Sequence, residues 1–204
     1  MPGPLQQLKS LATRERVIRT AIECIAEGGL EQATAARLAA RAGVSWGGIQ
    51  HQFGDKAAIF DAVLEHLLET FTVELSGISA SRASLSARIA ALVEGTWLLI
   101  CNPAYQAFRE ILLHHRPPTR SALSPERIMG RVNQALDAVC AGLFGDLALP
   151  RATVDLIKLT VFATLGGMAE QRRIVALPMA ATRLQLELLE RTIKDLIRRN
   201  RRPR

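Results

Sequence analysis

The chain has 204 residues, 4% of them aromatic, and a formal net charge of +7. Abundant alanine, leucine and arginine with few β-branched runs point to an all-helical fold, with enough chain for one sizeable core or two small ones. Three cysteines, Cys24, Cys101 and Cys140, lie too far apart for a CxxC pair, which argues against a disulfide framework and a zinc site. Apolar runs broken by charge before the ~18 residues of a membrane span, and no apolar signal core in MPGPLQQLKS, lead to the expectation of a cytoplasmic protein.

About nine helices are expected. Residues 1–12, with two prolines and a glycine, read as a loose arm. The first helix should span 13–27, with Val17, Ala21, Ile22 and Ile25 as its buried stripe, and Gly28-Gly29 should end it. Leu30 is expected to plug a small core with Leu38, Val44, Ile49 and Phe53. Thr34 can cap a second short helix, 35–42, through its hydroxyl. Gly43 stops that helix in the left-handed conformation, and Val44 pins the turn. Ser45 caps a third helix, 46–52, with Ile49 and Phe53 on one face. Asp55 caps a fourth, which begins at Lys56 and runs to about residue 75, burying Ile59, Phe60, Val63, Leu64 and Leu67.

The polar, small-residue stretch 77–84 (GISASRAS) is the expected domain boundary. It separates a first domain at 1–68, its last helix continuing to about 75, from a larger helical domain at 84–204. In the second, a helix at 85–101 is stopped by Asn102-Pro103. The next, at 104–115, is stopped by Pro117-Pro118. Ser124-Pro125, a cap and a proline at the first helical position, start a helix that reaches 144. Helices at 151–174 and 179–199 complete the chain. No strand and no internal repeat is expected.

Two short helices joined by a tight turn at Gly43 are the helix-turn-helix unit, whose second helix lies in a DNA major groove. The outer face of the third helix, Trp46, Gly47, Gln50 and Gln52, suits that task. Gln50 can pair bidentately with adenine, and Trp46 can pack on a sugar or a thymine methyl. Gly47 and Gly48 let the backbone approach a phosphate. His51 and Lys56 flank this surface and fit phosphate contacts, and an N-terminal arm could bring Lys9 to the same backbone. The predicted DNA-binding residues are therefore Thr34, Ser45, Trp46, Gly47, Gly48, Gln50, His51 and Lys56, and the partner is a double-stranded operator. The charge adds little to this, because residues 1–56 carry a net charge of only +2 whereas the tail from Arg191 carries +6.

The stretches TRERVIRTAIECIAEGG and ATAARLAARAGVSWGGIQHQFGDKAAIFDAVL, within residues 13–68, resemble the DNA-binding domain of the tetracycline-repressor (TetR) family of bacterial regulators. The likeness covers about a quarter of the chain. Three positions depart from the family pattern: Trp46 stands where Lys is frequent, Gly48 where Thr or Ser is, and Gln50 where a Tyr commonly touches the DNA backbone.

Beyond residue 68 no motif carries the resemblance. The helices at 151–174 and 179–199 are apolar over more surface than one contact face needs, with Leu184 and Leu188 beside Leu186, Leu189, Ile193 and Leu196, and with the small residues Ala163, Gly166 and Gly167. A two-sided apolar pair implies a partner, and a symmetric dimer is the commonest arrangement. The resemblance implies the same, a homodimer whose last two helices form a four-helix bundle. The large or soft side chains Trp97, Cys101, Tyr105, Phe108, Met129 and Phe162 are the candidates to line an effector pocket, mostly apolar, with Arg109, His114 or His115 as its polar groups. The sequence thus reads as a homodimeric, ligand-responsive regulator, a repressor released by a small, largely apolar molecule. The alternative is a helical dimeric interaction protein whose helix-turn-helix is structural only. No phosphate loop, metal-ligand cluster or nucleophile motif supports an enzyme or a cofactor.

Overall fold

The structure is a computed structural model describing residues 4–80, 83–115, 123–176 and 178–201, and among these every regular element is helical. Nine α-helices follow in order: α1 (Pro4–Gly28), α2 (Ala35–Ala42), α3 (Trp46–Phe53), α4 (Lys56–Ser76), α5 (Leu85–Cys101), α6 (Pro103–His114), α7 (Pro125–Phe144), α8 (Arg151–Ile174) and α9 (Met179–Asn200). Single 3-10 turns lie at Leu30–Gln32 and Gly145–Leu147. The Pro117-Pro118 stop falls outside the described residues.

The boundaries follow from caps. The Thr34 hydroxyl accepts the Arg37 amide at 3.2 Å, and Ser45 accepts that of Gly48 at 3.1 Å. Asp55 accepts the Ala58 amide at 2.8 Å, and Asn102 accepts that of Ala104 at 2.9 Å. Gly43 closes α2 at φ 63°, in the left-handed region that favours glycine.

The start of α1 corrects the expected loose arm. Residues 4–12 are helical. Pro4 suits a first helical position, where its missing N–H has no intrahelical acceptor to lose. The Gln, Leu, Lys and Ala that follow favour helix, and the carbonyl of Ser10 takes a hydrogen bond from the Gln52 side chain at 3.3 Å.

The chain forms two compact units: Met1–Thr70 with Asn102–Met129, and Phe71–Cys101 with Gly130–Arg204. In the first, α1 packs on α2, α3, α6 and the 3-10 turn after it. Its core holds Val17, Ala21, Cys24, Ile25, Leu38, Ile49, Ile59, Val63, Leu64, Phe108 and Ile111. Ile22, Leu30, Val44 and Phe53, expected in the core, are only half-buried. In the second, α5 packs on α8 and α9, and these two on each other, around Ile89, Leu92, Val93, Ile100, Ile157, Val161, Leu165, Leu189, Ile193 and Ile197. Gly95 is required here, since a Cβ would stand 2.8 Å from the Ile78 side chain. α4 is one continuous helix: residues to Thr70 belong to the first unit and the rest to the second.

α8 is the one helix among the described residues whose length and composition would by themselves let it cross a membrane, and a third of its most apolar window is buried in this chain. Its charges near the start, Asp155 and Lys158, pair at 2.9 Å and leave residues 159–169 free of charge. A helix of that composition equally suits the centre of a helix–helix interface.

Candidate nucleic-acid interface

α3 shows one face inward and one outward. Ile49 is 1% exposed and anchors the helix in the first unit. Gln52, three residues on and so on the same side, turns to α1 and bonds Ser10 rather than facing out. Phe53 is half-buried beneath the Arg14 guanidinium, 4.7 Å from the ring centre. The opposite side presents Gly47, Gly48, Gln50 and His51, all exposed, with Trp46 half-buried at its edge. A Cβ built on Gly47 meets nothing within 4 Å. The N-terminal turn of α3 is therefore open backbone, capped by an exposed Ser45, through which an anion can come close to main-chain N–H groups.

The charges around α3 are arranged less simply than the sequence suggests. Arg41 of α2 donates to Glu27 at 2.7 Å and to Glu23 at 3.0 Å, and Arg37 reaches Glu27 at 2.6 Å and Gln32. The hydrogen bond from Arg41 holds the Glu27 carboxyl below its ordinary value, and Glu27 in turn raises Arg41. These exposed pairs fasten α2 to α1 and leave neither arginine as a free cation. Partners fourteen and eighteen residues apart on different helices leave no local trace in a sequence. Lys56, in the first turn of α4, has its ammonium 5.3 Å from the centre of the Phe60 ring and no carboxylate partner among the described residues.

Of the eight predicted DNA-binding residues, Ser45, Gly47, Gly48, Gln50 and His51 share the exposed surface of α3 or its cap. Thr34 is exposed at the start of α2, and Trp46 and Lys56 are half-buried. The six predicted effector residues divide between the units. Tyr105 and Phe108, ring centres 6.3 Å apart, lie with the exposed Met129 in the first. Trp97, Cys101 and Phe162 lie in the second. Trp97 is buried, with the guanidinium of Arg172, a residue the sequence reading passed over, 5.7 Å from its ring centre. Burial pushes the Cys101 thiol above its ordinary value while the Arg172 charge opposes this. His114 and His115 diverge, the first to the Glu110 carbonyl at 3.1 Å, the second to Asp61 at 2.8 Å. Among the described residues no group of three His, Cys, Asp or Glu side chains could hold a metal.

Residues 17–63 match the family described as bacterial regulatory proteins, tetR family. The chain is 27% identical over 177 residues to an uncharacterized HTH-type transcriptional regulator of Mycobacterium tuberculosis, covering 85% of this chain and 89% of the relative. A solved TetR-family transcriptional regulator from Haemophilus influenzae has the same fold, with a TM-score of 0.65 and 18% identity over 94% of this chain and 98% of the other. The SmeT–triclosan complex overlays with a TM-score of 0.57 and 21% identity, over 89% and 91% of the two chains.

Proposed function

We infer the action of this chain, which belongs to the tetR family of bacterial regulatory proteins and is a DNA-binding transcriptional regulator rather than an enzyme, from the open face of α3. The observation that carries the reading is the capped, exposed N-terminal turn of α3 with nothing over Gly47. In a groove, Gln50 reads a base, His51 and the Ser45–Gly48 backbone approach phosphate, and Trp46 packs on sugar or a thymine methyl. Thr34 and Lys56 hold the flanking backbone. Duplexes selected by the chain from a random pool test this: binding should weaken steeply with salt, and selected sequences should share a two-half-site pattern. A chain that enriches no sequence and shows no salt dependence has a structural helix-turn-helix only.

The finer reading is a cytoplasmic homodimeric repressor released by a small molecule. Leu156, Leu159, Leu184 and Leu188 are exposed on α8 and α9, and Cβ atoms built on Gly166 and Gly167 meet nothing within 4 Å. This supports a second copy as the partner for both helices. The effector reading draws support from SmeT, a protein of this fold that is found in complex with triclosan. Within the second unit Trp97, Cys101 and Phe162 are the effector contacts, and Tyr105, Phe108 and Met129 are those of the first. α4, which begins at Lys56 and ends in the second unit, is the lever. Two recognition helices must enter successive major grooves about 34–36 Å apart, and a 100-fold loss of DNA affinity needs about 2.7 kcal/mol of effector preference for the other arrangement. With Trp46 replaced by phenylalanine, compounds that change Trp97 fluorescence should also release DNA. Compounds that quench Trp97 and leave operator affinity unchanged would remove the sensor.

A further inference from the structure

A helix-turn-helix of this family needs cations against the phosphate backbone, and here the obvious ones are engaged elsewhere. Arg37 and Arg41 are paired with Glu27 and Glu23. Arg14 lies over Phe53. Trp46 places an indole at the start of the recognition helix. Exposed cations remain on α1, Lys9 in the stretch expected to be a loose arm and Arg16 in the expected helix just beyond it. Lys9 and Arg16 are exposed, and among the described residues neither has a carboxylate partner. Seven residues apart on one helix, they fall about 20° from each other around the axis and about 10 Å apart along it. Glu15 points about 100° away from Arg16.

The stripe has a definite neighbour. Carried on by seven more residues it reaches Glu23, which holds Arg41 of α2. So α2 covers the C-terminal half of the stripe and leaves the N-terminal half bare. In a docked helix-turn-helix the first helix crosses the DNA backbone while the second enters the groove. The side of α1 continuous with α2 is then the side continuous with the backbone. The bare half is also held rigidly, because the Gln52 amide at the end of α3 donates to the Ser10 carbonyl and the Thr13 hydroxyl to that of Lys9. A helix pinned at this point needs no ordering when DNA arrives, unlike a flexible arm.

We propose that the Lys9–Arg16 stripe of α1 is a second phosphate-binding surface, gripping the backbone beside the groove that α3 reads. The proposal rests on α3 as the recognition helix. Arg19, about 60° round from Arg16 and further from the α2 side, is outside the surface.

The test compares the wild-type chain with Lys9→Gln/Arg16→Gln and with Arg19→Gln, on a duplex the wild type selects from a random pool, by anisotropy at about 50 to 200 mM salt. The double variant should bind every sequence more weakly with base preference kept. Its slope of log affinity against log salt should be shallower by about two per subunit, each lost contact removing roughly a threefold loss of affinity across that range. Arg19→Gln should keep the wild-type slope. Both changes are at exposed side chains, and equal melting temperatures of the three proteins confirm that only binding is compared. An unchanged slope in the double variant overturns the proposal, and so does an equal change in Arg19→Gln, which would mean diffuse charge and not a surface. Failure of the wild type to bind with any salt dependence overturns the recognition reading itself, and is distinguishable because no variant is needed to see it.

Discussion

The outer face of α3 and the outer faces of α8 and α9 are both bare in a single chain, but they differ in what water does to them. α3 shows glycine backbone, a glutamine and a histidine, groups that are content in water and can exchange it for polar partners. α8 and α9 show Leu159 at 67%, Leu184 at 61% and Leu188 at 58% exposure. Each buried Leu side chain contributes about 1.5–3 kcal/mol relative to an exposed one. The first face can therefore be vacated and refilled reversibly, whereas the second favours a partner that stays. The proposed homodimeric regulator would use that division, with a lasting contact between copies and a reversible one to DNA.

The most damaging way to break the comparison is to put a charge on the apolar face. Leu188→Glu should leave the single chain folded, because the position is exposed. In a two-fold contact it would bury an uncompensated carboxylate in each copy, at about 3–5 kcal/mol apiece. Sedimentation should find monomers, and affinity for a two-half-site operator should fall at least about 100-fold, since that loss needs only about 2.7 kcal/mol. A Leu188→Glu protein that sediments as a dimer would place the interface on other helices.

On the polar face the expected effect is smaller and confined to sequence choice. Gln50→Ala should relax preference at one base pair per half-site by about 1–3 kcal/mol if the amide pairs bidentately with a base. Equal weakening on all sequences would reassign Gln50 to phosphate, the role the tyrosine at this position has in the family pattern.

The same contrast governs what could be read in the chain. The caps at Thr34, Ser45, Asp55 and Asn102 act within three residues of themselves, so the starts of α2, α3, α4 and α6 and the turn at Gly43 were legible. The exposed Leu184 and Leu188 were also legible as a surplus of apolar surface. The helical start of α1 left local signs in Pro4 and the helix-favouring residues after it, but the Gln52 bond to Ser10 that ties it to α3 depends on packing across forty-two residues. The engagement of Arg37 and Arg41 by Glu27 and Glu23 was not legible, nor was that of Trp97 by Arg172. Packing also adds a division that composition does not reveal: α6 and the first residues of α7 go with the first unit, through the contact of α6 on α1. Side chains that meet across helices leave no periodic trace, and those are the ones that fix the charge around the candidate site.

The local part of the interface can be weighed alone. Ser45→Ala removes the acceptor of the Gly48 amide and should lower stability without DNA by about 1 kcal/mol, within the ~0.5–2 range of lost caps. Thr34→Ala should cost a similar amount at α2. Urea unfolding followed by circular dichroism measures both. A Ser45→Ala chain as stable as wild type would mean that α3 is held only by Ile49 and the α1 contact.

The smallest effect sharpens the comparison most, because it separates a residue's role in the fold from its role on DNA. Lys56, half-buried, lies over the buried Phe60 ring, and a cation–π contact of this kind is worth about 0.5–2 kcal/mol. It also sits in the first turn of α4, two residues past the end of α3 and its Gly54 cap. Lys56→Met keeps an apolar stem against Phe60 and deletes the charge, whereas Lys56→Ala deletes both. If Lys56 is a phosphate contact, both variants should lower the salt slope by about one per subunit and weaken all sequences alike. Only Lys56→Ala should lose the packing of the stem as well. If Lys56 serves the fold alone, Lys56→Met should bind DNA with the wild-type slope and show its loss, if any, in the melting temperature. An unchanged slope in both variants would take Lys56 out of the interface and leave the phosphate grip to the backbone of α3 and the stripe on α1.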